Sequence, residues 1–374
     1  MKYKFEDIIY NITEKKKPSD EDRLNYIGLE HLDSGSLFVT RWGAERTPEG
    51  EKIVMKKGDV LFGKRRAYQK KVAISPIDGV FSAHGMVLRP KENVICKEFL
   101  PFFISSDYFL NEAIRISVGG LSPTINWKDI KVLEFNLPSL AEQKILAEKL
   151  WAAYEVKQSY LKMIEATQEM VKSQFVEMFD FESKSQYRPW GELFSTQLGK
   201  MLDKNKQHEE DTSCRYLANI NVQWGYFDLA ELNSMTFKEK ELLKFALQPN
   251  DLLICEGGDA GRCAVWKEKN TDIKYQKAIH RARPINTDVI DVNYVQYYLQ
   301  YYKNIGKLAD FITKGTIEHL TGEKLNKVPV LVPPVALQKQ FVSIADQADK
   351  SISELRKSVD AIDKVIKSLI NENL

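Results

Sequence analysis

The chain has 374 residues, 43% of them hydrophobic and 28% charged, which excludes a disordered polymer and is too long for one ordinary core. Its formal net charge of +2 neither demands nor excludes nucleic acid, because binding depends on where the positive charge sits. No stretch approaches the roughly 20 apolar residues that span a bilayer, and the opening MKYKFEDIIY lacks the uninterrupted apolar core of a signal peptide, so a cytoplasmic protein is expected.

In chain order, the first clear signals are NYIGLEHLDSGSLF from Asn25 and KKGDVLF around Asp59, where a Gly-Asp turn introduces a short apolar strand. A basic stretch, GKRRAYQKKVAIS, follows, then FSAHGMVLRP ending at Pro90 and an aromatic helical patch, EFLPFFISSDYFLNEAI. GGLSPTINWKDIKVLEFNLP, from Gly119, reads as a glycine turn, a polar segment, a lysine-bearing helical step and an apolar strand ending at proline. SLAEQKILAEKLWAAYE, from Ser139, opens a long helix.

The same succession then returns. RYLANINVQWGYFDL (from Arg215), QPNDLLI (around Asp251), KYQKAIHRARP (ending at Pro284) and DVNYVQYYLQYYKNIGKL restate the first half, followed by KGTIEHLTGEKLNKVPVLVP (from Lys314) and PVALQKQFVSIADQADK (from Pro334). The offset drifts from 190 to 195, as insertions and deletions in surface loops produce. A period this long marks a duplicated half-protein rather than a solenoid.

The two long helices carry the sharpest pattern. In the second, Phe341, Ala345, Ala348, Ile352, Leu355, Val359, Ile362, Ile366 and Leu369 recur in alternating steps of four and three, the spacing of a coiled-coil seam. The same frame in the first gives Leu146, Leu150, Ala153, Lys157, Tyr160, Ile164, Thr167, Val171 and Gln174, with three polar interruptions. Each helix would be roughly 55 to 60 Å long at ~1.5 Å per residue and would expose an apolar stripe unless paired. The expected fold is α+β: two similar domains with mixed or antiparallel sheets, separated by two long helices in an antiparallel, pseudo-twofold coiled coil. The expected division is 1–138 and 180–333 for the domains, 139–179 and 334–374 for the helices.

No active site is legible. The only Pro-Pro, in LVPPVAL, lacks the preceding Asn or Asp and the following aromatic of an amino-methyltransferase. The glycine-rich CEGGDAGRC contains neither a G-x-G-x-x-G nor a phosphate-loop Gly-Lys-Ser/Thr and reads as a tight turn between strands. His31, His84, His208, His280 and His319 show no metal spacing, and Cys96, Cys214, Cys255 and Cys263 form no C-x-x-C pair, so no metal site or disulfide is expected.

Basic residues interleaved with aromatic and amide side chains do occur in both halves. The first group is Lys64, Arg65, Arg66, Tyr68, Gln69, Lys70 and Lys71, with His84 after it. The second is Arg262, Lys274, Tyr275, Gln276, Lys277, His280 and Arg281, taken as a basic loop at the corresponding place. The turns before the long helices add Ser122, Thr124 and Asn126 in the first half, and Lys314, Thr316 and His319 in the second. Lys and Arg neutralise phosphates, and Arg, Gln and Asn read base edges in a major groove. These residues are the candidate DNA-binding surface, against the plainer reading of a solvated charged face.

At these residues the sequence resembles the specificity (S) subunits of type I restriction-modification systems. The resemblance rests on GDVLF and NDLLI, the LRP and ARP strand ends, and the junctions NLPSLAEQK and LVPPVALQK, and on the globular–helix–globular–helix order. YIGLEHLDSGSLFVTRWG looks like the start of a target-recognition domain of that family. The second junction departs slightly, reading Ala-Leu-Gln-Lys where the first has Ala-Glu-Gln-Lys. The family implies a non-catalytic subunit whose two domains each read half of a bipartite, asymmetric double-stranded DNA target, the helices acting as spacer. It implies two methyltransferase subunits as partners, which would hold S-adenosylmethionine and methylate adenine, and through them restriction subunits; this chain itself would bind no cofactor. The alternatives are a modification-only recognition subunit, a coiled-coil scaffold that does not touch DNA, and a nuclease or methyltransferase with a dispersed site.

Overall fold

In the computed structural model, which describes residues 1–183, 186–201, 211–269, 272–313, 315 and 318–374, the chain forms two compact units. The first is Met1–Met163 together with Leu355–Leu374, and the second is Ile164–Glu354. Among the described residues no helix is long and apolar enough to cross a membrane.

The main sheet of the first unit contains β1 (Ile9–Ile12), β2 (Val60–Phe62), β3 (Val72–Ile74) and β4 (Met86–Pro90). Their spatial order is β1-β4-β2-β3, with antiparallel neighbours. All three residues of β2 are buried, because side chains alternate across the pleat and both faces are covered. Val60 and Phe62 join a core with Phe5, Phe99 and Phe109, while Leu61 joins Ile27, Phe81 and Val87 on the other side. A second sheet runs Lys15–Lys16, Lys52–Met55, Gly79–Phe81, Tyr26–Ile27, its last pair parallel.

The second unit repeats this plan. Its strands β5 (Phe194–Leu198), β6 (Leu252–Cys255), β7 (Cys263–Val265) and β8 (Ile279–Pro284) are ordered β5-β8-β6-β7. Leu252 and Ile254 face one core, Leu253 and Cys255 the other. A three-stranded sheet, Asn233–Phe237, Thr212–Leu217, Lys274–Tyr275, again ends in a parallel pair. The turn residues that introduce β2 and β6, Gly58 and Asn250, both have positive φ, 90° and 71°. Glycine and asparagine tolerate that left-handed backbone best. All four cysteines are buried and unpaired.

The junctions that precede the long helices explain their own sequence. Ser139 and Glu142 form a capping box: Ser139 N and Oγ donate to Glu142 Oε2, and Glu142 N donates to Ser139 Oγ. The glutamines of the two Gln-Lys pairs, Gln143 and Gln338, are fully buried. Each amide reaches back to the proline carbonyl at the junction and to a carbonyl of the preceding loop, fastening helix to domain.

The helices are α1, Leu140–Met178, and α2, Val335–Asn371. Every seam position expected from the heptad pattern is buried or half-buried, including the polar ones. Within the first unit, Leu146, Leu150 and Tyr154 of α1 share a core with Ile366, Leu369 and Ile370 of α2. Within the second, Val171 and Phe175 of α1 share a core with Phe341, Ala345 and Ala348 of α2. The start of one helix therefore packs on the end of the other, and the pairing is antiparallel. Lys157, a polar interruption, has its ammonium 2.6 Å from the Asp363 carboxylate across the first unit's seam.

Candidate nucleic-acid interface

Both units build the same small frame from three segments. The hairpin β2–β3 is extended by Gly63 N donating to Lys71 O, and β6–β7 by Cys255 N donating to Arg262 O. A crossing segment then docks on the hairpin loop. Ile125 N donates to Lys64 O at 3.0 Å in the first unit, and Leu320 N to Glu256 O at 2.7 Å in the second. Isolated bridges Arg65–Thr124 and Gly257–His319 lie at the same places. A third segment, the turn before β4 or β8, contributes His84 O, which accepts from Arg65 N, or Ala278 O, which accepts from Glu256 N, a donor one residue earlier in the loop than the counterpart of Arg65.

This register corrects the alignment of basic runs read from the sequence. The counterpart of the basic loop Lys64–Lys71 is the glycine-rich Glu256–Arg262, which is indeed the turn between two strands, and not the run from Lys274 to Arg281. The similarity of basic composition had outweighed the strand register. Lys64 corresponds to Glu256, Arg65 to Gly257, and Lys71 to Arg262.

In the first unit the structure brings two separately chosen surfaces together. Arg65, Arg66 and His84 are exposed and Lys64 is half-buried. Arg66 N donates to Pro123 O at 2.7 Å, and its Nε lies 3.3 Å from Ser122 Oγ, so hairpin loop and Ser122–Thr124 turn form one surface. Arg66 and Lys70 hold left-handed conformations, φ 54° and 50°, which lift the intervening Tyr68, 53% exposed, into solvent. Among the described residues neither Arg65 nor Arg66 pairs with a carboxylate within 4.0 Å, so their charge is available. Burial, then nearby Lys15, pushes the Lys64 ammonium below its usual range. His84 is held below its ordinary value by burial, then by Arg65, Lys64 and Lys52. Lys15 and Lys52 belong to this positive field, yet no spacing in the sequence marks them.

Other candidates are engaged elsewhere. Lys70 pairs with Asp107 at 2.7 Å, Lys71 Nζ donates to Leu29 O at 2.6 Å, and Asn126 Nδ2 donates to Asp129 beside a short helix. Gln69 is half-buried, its carbonyl accepting from Ser34.

In the second unit four candidates, Lys274, Tyr275, His280 and Arg281, lie in the interior, and a role in touching DNA is corrected for them. Lys274 sits in a strand paired with Tyr216 and is buried. His280 is 1% exposed, with Nε2 2.8 Å from Leu320 O. Arg281 donates to the carbonyls of Lys244 and Ala246 and to Gln197 Oε1, with Tyr275, fully buried, beneath its guanidinium. His280 and Arg281 are consecutive in β8 and so face opposite sides of its sheet, and both are buried because each side carries a core, which the count of basic residues could not reveal. Arg262 Nη2 donates to Asn219 O at 2.8 Å, the same brace that Lys71 makes to Leu29. Gln276 is half-buried, whereas Lys277 and His319 are exposed. Lys314 and Thr316 lie outside the described residues, as does His208. Among the described residues no group of three or more metal-ligating side chains occurs.

Comparison with known proteins agrees with this layout. The family profile described as "Type I restriction modification DNA specificity domain" matches twice, over residues 2–164 and 182–362. The EcoKI type I restriction enzyme specificity subunit of Escherichia coli (strain K12) is 23% identical over an alignment covering 94% of this chain and 82% of that protein. A putative specificity subunit of the MjaX enzyme of Methanocaldococcus jannaschii is also 23% identical, over 94% and 87%. Among solved structures, a chain from a type I R-M system studied for complex assembly and conformational transition superposes with TM-score 0.60 at 18% identity, covering 100% of this chain and 97% of that one. The S subunit from M. genitalium gives 0.54 at 14% identity, covering 99% and 95%. The duplicated frame, the paired long helices and the double match to the family profile lead to one conclusion: the chain belongs to the type I restriction-modification DNA specificity family.

Proposed function

We propose that the chain is the sequence-reading subunit of a type I restriction-modification complex, each unit recognising one short half of a bipartite double-stranded DNA target. The observation that carries this reading is one backbone frame, built twice, displaying unlike side chains at equivalent positions: Lys64 against Glu256, and Arg65 against Gly257. Such a frame supports two readers of common geometry and different preference, hence an asymmetric target. In the first unit the contact surface is Lys64, Arg65, Arg66, Tyr68 and His84 with Ser122 and Thr124. In the second it centres on Glu256, Gly258, Lys277 and His319. Phosphate contacts would fix register, and side chains reaching base edges would set sequence.

The paired helices act as the spacer between half-sites. The chain itself is non-catalytic: two methyltransferase subunits dock on it, supply S-adenosylmethionine and methylate adenine, and restriction subunits join through them in the cytoplasm. Single-molecule sequencing of DNA from a host expressing this chain with its partner subunits tests the proposal. Methyladenine should fall within two short unlike motifs separated by a fixed unread gap. A single continuous motif, or methylation by the chain alone, would overturn it.

A further inference from the structure

The first unit has a feature that the second lacks at the same backbone position. Arg65 Nη1 lies 3.5 Å from His84 Nε2, too long for a strong hydrogen bond, and no carboxylate within 4.0 Å neutralises either group among the described residues. Both side chains are exposed. Their backbones are locked together by the Arg65 N to His84 O bond, and the Arg65–Thr124 bridge holds the other side. Beside them opens a cleft of about 310 Å³ lined by His84, Lys52, Ser82, Tyr26 and Glu49. In the second unit the residue bridged to the crossing segment is Gly257, and the residue two before the start of the equivalent β8 register is Ala278, where His84 stands two before Met86. Neither can present a cation.

We infer that Arg65 and His84 form a clamp for one backbone phosphate of bound DNA in the first unit only, and that closing it takes up a proton at His84. The inference rests on the DNA-reading function proposed above and adds that the two units hold the duplex by different chemistry. A guanidinium facing an imidazole without an anion between them is electrostatically unfavourable for a charged imidazole. A phosphate placed against both groups accepts from Arg65 and from protonated His84, reversing that balance. The charged or titratable groups that face His84 are Arg65 and Lys64 from the hairpin, Lys52 and Glu49 from the segment leading into Lys52–Met55, and Tyr26 from the parallel strand. Burial and the three cations keep His84 below its ordinary value in the free protein, which disfavours its charged form until an anion is bound. Binding then raises its affinity for a proton, and DNA affinity climbs as pH is lowered from about 8 to about 6.

The test measures anisotropy of a labelled mixed-sequence duplex with the full chain, at salt from about 50 to about 200 mM, where each phosphate contact adds about 0.9 to the slope of log affinity against log salt. Arg65→Ala should lower that slope by about one, and Arg65→Lys should restore it. His84→Gln should flatten the rise in affinity at low pH. Arg41→Ala, whose guanidinium is already held by Asp33, should change neither. Melting curves close to wild type are expected for all four, since the side chains are exposed. Arg65→Ala retaining the wild-type slope, or His84→Gln retaining the pH dependence, overturns the clamp while leaving the DNA-reading function in place. A wild-type chain that leaves the duplex unbound at low salt instead removes the DNA-reading function itself.

Discussion

Asp59 and Arg89 are joined by a two-pronged ion pair, Arg89 Nε donating to Asp59 Oδ1 at 2.6 Å and Nη2 to Oδ2 at 2.9 Å. Asp251 and Arg283 repeat it at 2.5 and 3.0 Å. These four residues are the Asp of GDVLF and NDLLI and the Arg of LRP and ARP, so two motifs apart in sequence are the halves of one clasp between β2 and β4, and between β6 and β8. Each carboxylate also accepts from a turn amide, Lys56 N or Gln248 N. The carboxylates are almost fully buried and the guanidinium groups about one-third exposed. Replacing Asp59 or Asp251 by Asn should therefore cost roughly 2 to 3 kcal/mol, the scale of charge-assisted hydrogen bonds lost in a partly buried setting. Urea unfolding measures it; a cost below about 0.5 kcal/mol in both variants would contradict the clasp.

Gln143 and Gln338 should behave as twins. Gln143 Oε1 accepts from Cys96 N at 2.8 Å and Gln338 Oε1 from Asp291 N at 2.8 Å, while each amide nitrogen serves two carbonyls. Leucine at either position strands one buried donor and two acceptors, at about 1 to 3 kcal/mol for each group left unmet. Both variants should melt lower by similar amounts. A large effect at one position and none at the other would contradict their equivalence.

Arg281 is expected to act on stability rather than on contact with DNA. Arg281→Met keeps much of the volume but removes three hydrogen bonds to Lys244 O, Ala246 O and Gln197 Oε1. The second unit should unfold earlier in denaturant, with the salt slope of DNA binding unchanged at temperatures where it stays folded. A lower slope with unchanged stability would return Arg281 to the contact surface.

How far the sequence reached depended on the range of the interactions involved. The apolar stripe of the long helices was legible, including Lys157, because a heptad stripe is local and periodic; Tyr154, Phe175 and Ile370, off that stripe, are buried with it and were not marked. The turns at Gly58 and Asn250 were legible for the same reason, since backbone preference sits in the residue itself. The role of Gln143 was not: the Gln-Lys pair was visible as a repeat, but its partners lie 47 and 49 positions away. Nor could composition show that Glu256, and not the run around Lys277, stands opposite Lys64. Carrying the match of GDVLF with NDLLI two residues further sets Lys64 against Glu256, and the hydrogen bonds to the crossing segments at Ile125 and Leu320 agree with it. The burial of Lys274, His280 and Arg281 follows from strand pairing.

The seam yields a further prediction. Ile352, in the part of α2 that belongs to the second unit, is 8% exposed, so Ile352→Asn should cost about 2 to 3 kcal/mol through lost apolar burial and a stranded amide. Lys157→Leu should raise the melting temperature slightly, because it replaces a part-buried ion pair by an apolar seam residue and leaves Asp363 facing water. Unchanged melting in Ile352→Asn would contradict the packed seam.

The central claim is that the helices set a distance while the domains choose the bases. Inserting one heptad into both α1 and α2 keeps the seam in register and lengthens the pair by about 10 Å, about three base pairs at ~3.4 Å each. Methylation mapping of a host carrying the lengthened chain with its partner subunits should return both half-site sequences unchanged, separated by a gap about three base pairs longer. An unaltered gap, or altered half-site sequences, would contradict the account.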